Sequence, residues 1–167
     1  PENGYHGDYV KELAADFVRE NKKYALEDLK QLGLKKMVEQ QKKSLHIFGV
    51  DYDRWFFQSE LLEKRAIEKS LKKLEKKGHL YTQEGALFFK STTFKDDKDR
   101  VVKKQDGDYS YFASDIAYHD DKLNRKYDLV IDVFGPDHHG YIARTKAAVE
   151  ALGFNPKQLI TLIVQQV

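Results

Sequence analysis

The sequence predicts an α/β fold: a mostly helical first half, then a β-rich stretch, then a unit with a parallel sheet. Three observations carry this. Apolar residues recur at helical spacing through the first 80 positions. After Gly78 the texture changes to short β-prone runs broken by glycine. Near the end, "YDLVIDVF", "HGYIARTKAAVEALG" and "QLITLIVQQV" read as strand, helix and strand in about 35 residues, a spacing that calls for a crossover between parallel strands.

In order, "GDYVKELAADFVREN" places Val10, Leu13, Ala14, Phe17 and Val18 on a helix that Asp8 can cap. A second helix is expected from about Asp28 to Leu45, on Leu34, Met37, Val38 and Leu45. An aromatic knot follows, made of Phe48, Tyr52, Trp55, Phe56 and Phe57. A third helix is expected from Ser59 to Lys77, with Ile67, Leu71 and Leu74 as its stripe and Gly78 as its stop. "GHLYTQEGALFFKSTTF" gives β-prone runs punctuated by Gly85, and "DRVVKKQDGDYSYFAS" gives two strands joined through Asp106-Gly107. "SDIAYHDDKLNRK" reads as a helix capped by Ser114.

Composition narrows the function classes. The 167 residues suit one domain, or a domain with a subdomain, and are enough for a sizeable core. A 41% hydrophobic and 13% aromatic content argues against disorder, and a net charge of +2 gives no global field for nucleic acid. The absence of cysteine excludes disulfides and thiolate metal sites and suits a reducing, cytoplasmic setting. No apolar run approaches the roughly 18 residues of a membrane span, and the start lacks a secretory signal. A first residue that is Pro rather than Met, and a last segment that stops on a strand, read as a piece of a longer chain.

Five motifs carry possible chemistry. "GPDHHG" lies just past an apolar strand, where open parallel sheets bind ligands, and it opens a helix whose N–H groups face the same place. It reads equally as a plain turn with Asp137 as cap. Adjacent histidines diverge, which disfavours a metal. In "YSYFASDIAYH", Tyr111 and Asp115 stand four apart across a strand-to-helix junction. A phenol and a carboxylate there suit a cationic group, or else a capped helix start with a core tyrosine. Asp96, Asp97 and Asp99 fail the calcium-loop pattern and read as a charged loop. His119-Asp120 has the look of a metal phosphohydrolase pair without its further ligands. Lys69, Lys72, Lys73, Lys76 and Lys77 suit phosphates, but Glu68 and Glu75 among them favour a solvated helix face.

Together the blocks "YFASDIAYHDDKLNRKYDLVIDVFGPDHHGYIARTKAAVEALG", "GALFFKSTTFKDDKDRVVKKQDGDYSYFASD", "YHGDYVKELA" and "FGVDYDRWFFQSEL" resemble bacterial-type arginyl-tRNA synthetase, a class I aminoacyl-tRNA synthetase, in order and spacing. The resemblance implies the second half of a Rossmann-type parallel-sheet catalytic core with a mostly helical and β-hairpin insertion. Residues 1–80 would be the helical insertion, 81–108 a β-rich connecting segment and 109–167 the core. It implies an arginine–tRNA ligase that uses ATP, with Mg2+, to make arginyl-adenylate and passes arginine to tRNA(Arg). The enzyme would be a cytoplasmic monomer with no membrane partner. The family's guanidinium-reading Tyr and Asp fall on Tyr111 and Asp115, and its Gly-x-Asp-His block on Gly135, Asp137 and His138, lining the adenylate pocket. No catalytic side chain and no protein-held metal is expected. The family's His-x-Gly-His and Lys-Met-Ser-Lys phosphate signatures do not occur in these residues, so the stretch alone is expected to be inactive. The alternative is a non-catalytic α/β module that binds RNA or protein.

Overall fold

The computed structural model describes residues 7–19 and 23–165. The ends of the first expected helix (Glu20, Asn21) and of the last expected strand (Gln166, Val167) lie outside them, as do Tyr5 and His6. The chain divides into two compact units, Pro1–Trp55 and Phe56–Val167.

The first unit holds helices α1 (Asp8–Arg19) and α2 (Leu26–Ile47). Asp8 lies within the first turn of α1. α2 starts earlier than its apolar spacing suggests because Asp28 reaches back to accept the Ala25 N–H at 3.2 Å, making Asp28 the third residue of the helix. Lys36 of α2 joins Asp16 of α1 at 2.8 Å and lies over the Phe17 ring. The expected aromatic knot is not one cluster. Tyr52 packs edge-on against Trp55, while Phe48 and Tyr52 are exposed.

In the second unit the expected third helix is two: α3 (Gln58–Glu63) and α4 (Ala66–Lys76), broken at Arg65 with φ +48°. An unbroken helix would turn Leu61 by about 120° from Ile67. With the break, Leu61, Ile67, Leu71 and Leu74 all enter one core. Gly78 ends α4 with φ +73°, and the His79 N–H donates to the Leu74 carbonyl at 3.0 Å. Strands β1 (Leu80–Gln83) and β2 (Ala86–Phe89) form a hairpin whose two turn residues, Glu84 and Gly85, both have positive φ. That turn matches strand twist. β3 (Arg100–Lys103) completes a three-stranded antiparallel sheet, and the strand expected after Asp106-Gly107 shrinks to a single bridge, Lys103 to Tyr109.

Helix α5 (Tyr111–Asn124) leads to β4 (Val130–Phe134), α6 (Tyr141–Leu152) and β5 (Leu159–Ile163). β4 and β5 are parallel and in register from Val130–Leu159 to Phe134–Ile163, as the crossover spacing predicts. Leu74, Phe89, Val102, Ala113, Ile116 and Ala148 bring α4, the hairpin sheet, α5 and α6 into a common core. Lys77 closes it, donating to the Ala151 and Leu152 carbonyls at 3.2 and 2.8 Å and so capping α6. Gly153, at φ +101°, leaves room for it, since a Cβ there would stand 2.7 Å from the Lys77 Nζ. Among the described residues no helix is long and apolar enough to cross a membrane.

Candidate functional site

α5 is the element that carries the site. Ser110, not Ser114, is its cap: Ser110 Oγ accepts the Ala113 N–H at 3.2 Å and donates to the Val101 carbonyl at 2.7 Å. The second bond ties the helix start to β3. Because the helix begins one turn earlier than expected, Tyr111 and Asp115 lie at i and i+4 on one helix face, not across a junction.

Tyr111 and Asp115 share a concavity of about 220 Å³ with Phe56, Gln58, Leu61, Ser114 and Tyr118. The Phe56 and Tyr118 rings stack at 4.5 Å along it. Tyr111 is 83% exposed, so its ring is free for a ligand rather than part of the core. Asp115 is half-buried. Among the described residues no side chain bonds to its carboxylate, and burial pushes that carboxyl above its ordinary value of 3.8, against the pull of His119, Arg144 and Lys122.

On its other side Asp115 borders a second concavity of about 390 Å³, lined also by His119, Lys122, Asp132, Phe134, His138, Tyr141 and Thr145. His138 stacks on Phe134 at 5.2 Å and tilts against Tyr141. Asp137, one residue earlier in the 3-10 turn Pro136–His138, faces elsewhere. It lines a third concavity of about 550 Å³ with Asp96, Arg100, Tyr141 and Arg144. Gly135 has an ordinary φ of −69°, and a Cβ there would meet nothing within 4 Å. The structure thus joins Tyr111 to Asp115, and Asp115 to His138, while Asp137 stands apart from both.

The remaining motifs resolve into scaffolding. Asp120 is buried and takes Ser70 Oγ at 2.8 Å, Lys73 Nζ at 2.7 Å and Asn124 Nδ2 at 2.8 Å, which clamps α4 to α5. Arg100 pairs with Asp96 at 2.7 Å. Burial alone would raise that carboxyl, but the hydrogen bonds from Arg100 and the Asp97 N–H outweigh it and hold it at about 2. Asp99 accepts from the Thr92 N–H and hydroxyl. Of the five lysines near α4, Lys73 and Lys77 are engaged inside the unit.

Sequence reasoning passed over Asp132. It is 7% exposed, on the inward face of β4, and meets His119 Nε2 at 2.7 Å and Lys122 Nζ at 2.5 Å. Burial opposes its charge, but these two partners win and lower its carboxyl. The available signal was a lone acid in an apolar strand, at the inward position of the alternation Val130, Asp132, Phe134.

A family model described as "tRNA synthetases class I (R), catalytic domain" matches residues 6–165. An arginine–tRNA ligase of Bacillus subtilis is 46% identical over 175 residues, covering 100% of this chain and 32% of its own. One of Acidithiobacillus ferrooxidans is 41% identical over 199 residues, covering 99% and 34%. A solved structure from Campylobacter jejuni, described as an arginyl-tRNA synthetase, superposes with a TM-score of 0.90 at 34% identity, over 99% of this chain and 38% of that one. The Thermus thermophilus arginyl-tRNA synthetase shares the fold, with a TM-score of 0.70 at 18% identity over 83% of this chain and 32% of its own. The chain spans about a third of the length of the curated relatives it matches. With its mixed α/β architecture and parallel β4–β5 pair, the chain belongs to the class I arginyl-tRNA synthetase catalytic-domain family.

Proposed function

We propose that this stretch is part of an arginine–tRNA ligase and supplies the guanidinium-reading side of its active site. The whole protein would activate arginine with ATP, accompanied by Mg2+, and transfer it to tRNA(Arg), as a cytoplasmic monomer. Residues 109–167 would be the second half of its Rossmann-type core, 1–80 a helical insertion and 81–108 the segment between.

One observation carries this reading: Asp115, a half-buried carboxylate beside an aromatic-walled concavity, with no hydrogen-bonded partner among the described residues. An ionised acid so placed is stabilised by an incoming cation. A guanidinium is planar and always charged, so a carboxylate grips it bidentately, and lysine's point charge fits less well. Tyr111, one turn before Asp115, offers a ring and hydroxyl to the same group. His138 would border the adenylate from beyond Asp115, with Asp137 and Gly135 shaping the turn. The chemistry itself, attack of the arginine carboxylate on the ATP α-phosphate, is mostly positioning and charge stabilisation. No phosphate-holding signature occurs within residues 1–167, so this stretch alone would not catalyse it. The RNA-binding alternative is weakened because Lys73 and Lys77 of its basic helix face are already engaged within the fold.

The test is arginine-dependent ATP–pyrophosphate exchange by the full-length enzyme. Asp115→Asn should raise the KM for arginine on the order of 100-fold, about 3 kcal/mol for losing one partner of a desolvated charge pair, with the KM for ATP nearly unchanged. An unchanged arginine KM would overturn the assignment.

A further inference from the structure

Both ring nitrogens of His119 face oxygen acceptors. Nδ1 lies 2.7 Å from the main-chain carbonyl of Asp115, one turn back on α5. Nε2 lies 2.7 Å from Oδ2 of Asp132 on β4. The residue is 4% exposed, so water does not mediate either contact. A carbonyl oxygen only accepts. A neutral imidazole has one N–H and one lone pair, so in either tautomer one lone pair would point at an oxygen at hydrogen-bond distance, unless Asp132 itself carried the proton. Lys122 argues against that, because its ammonium sits 2.5 Å from the other Asp132 oxygen and holds the carboxylate ionised.

We propose that His119 is held as a doubly protonated imidazolium between the Asp115 carbonyl and the Asp132 carboxylate, and that this pair is a positioning element which fixes Asp115 and keeps its side chain ionised for a guanidinium. The functional half rests on Asp115 being the arginine-binding carboxylate. The charges around Asp115 fit it. From α5 come His119 and Lys122, from β4 Asp132, and from α6 Arg144. Burial disfavours the Asp115 charge, and His119 is the foremost of the three cations opposing it. His138, Tyr141 and Thr145 complete the wall. Arginine therefore meets a carboxylate whose counter-charge sits behind it, inside the fold, and leaves the ligand side open.

The test uses the full-length enzyme and the pH dependence of the arginine KM. In the wild type, arginine binding weakens on the acid side as Asp115 protonates. His119→Gln removes the imidazolium, so Asp115 protonates at higher pH. Arginine binding on that acid limb should be about tenfold weaker than wild type and should converge with it at high pH, with the ATP KM unmoved. Asp132→Asn removes the anion that Nε2 faces, so its arginine KM should also rise, with the ATP KM unmoved. Neutron diffraction of the unmutated enzyme should find deuterium on both His119 nitrogens, a readout that needs no variant to fold. A single deuterium, or an acid limb that stays in place in His119→Gln, overturns the inference while Asp115→Asn still costs arginine affinity. An Asp115→Asn enzyme with an unchanged arginine KM removes the arginine-binding role of Asp115, and the positioning role of His119 with it.

Discussion

Asp115 and Asp132 are two carboxylates 17 positions apart with opposite fates. Asp132 is answered by His119 and Lys122, and its carboxyl is lowered. At Asp115 burial outweighs the pull of His119, Arg144 and Lys122, and its carboxyl is raised. A carboxyl raised by folding stabilises the native state only below its unfolded value, and that stability is lost as pH rises through the folded one. At neutral pH the Asp115 charge therefore works against the fold. Asp115→Asn should raise the thermal midpoint of the full-length protein at neutral pH, and the gain should vanish as pH falls below the ordinary 3.8. Calorimetry across pH reads this, and a lowered midpoint at neutral pH would contradict it. The pairing of Tyr111 with Asp115 was legible in the sequence, because a phenol and an acid four apart near a helix start are local facts. The partner of His119 was not. Asp132 is 13 residues away on another element, and only folding decides that His119 faces β4 while its neighbour Asp120 faces α4.

At the scale of elements, the choice between two serines sets the geometry of the site. The sequence reading starts the helix at Ser114, whereas the fold caps it with Ser110. The β3 carbonyl of Val101 favours Ser110, whose hydroxyl donates to it at 2.7 Å. Among the described residues the Ser114 hydroxyl has one long contact, 3.5 Å, with the Gln58 amide. Ser110→Ala should destabilise the protein by about 1–2 kcal/mol in denaturant unfolding, and Ser114→Ala by less than about 0.5. Equal effects would place the helix start wrongly. The split of the expected third helix had the same origin. The apolar spacing of Ile67, Leu71 and Leu74 announced α4 correctly. The need to bring Leu61 into the same core, which broke the helix at Arg65, is a tertiary demand that no local window contains.

Across the whole molecule, the parallel pair has one clothed face and one bare one. Val130 and Leu159 are buried against α5 and α6, whereas Ile131, Val133, Ile160 and Leu162 are exposed. Parallel strands are ordinarily covered on both sides. The runs "LVIDVF" and "LITLIV" made these strands easy to read, but with apolar residues on both faces they gave no hint of which face is bare. We expect residues 1–167 produced alone to bind a hydrophobic dye through this face, and Ile131→Lys with Val133→Lys to abolish that binding. The same pair should destabilise the full-length protein by about 2–4 kcal/mol, if the remainder of the catalytic domain lies there. Dye binding indifferent to both substitutions would refute the assignment of the face.

The bond from Lys77 to the end of α6 joins positions 75 residues apart. On a ribosome adding roughly 5–20 residues each second, α4 emerges some 4–15 seconds before the carbonyl it caps exists. Over the first part of that interval Ile67, Leu71 and Leu74 have neither α5 nor α6 to lie against, and until its end they lack α6. A nascent chain at this stage is a candidate for chaperone capture, and synonymous changes that slow translation between positions 78 and 152 would lengthen the exposure without altering one residue of the finished protein.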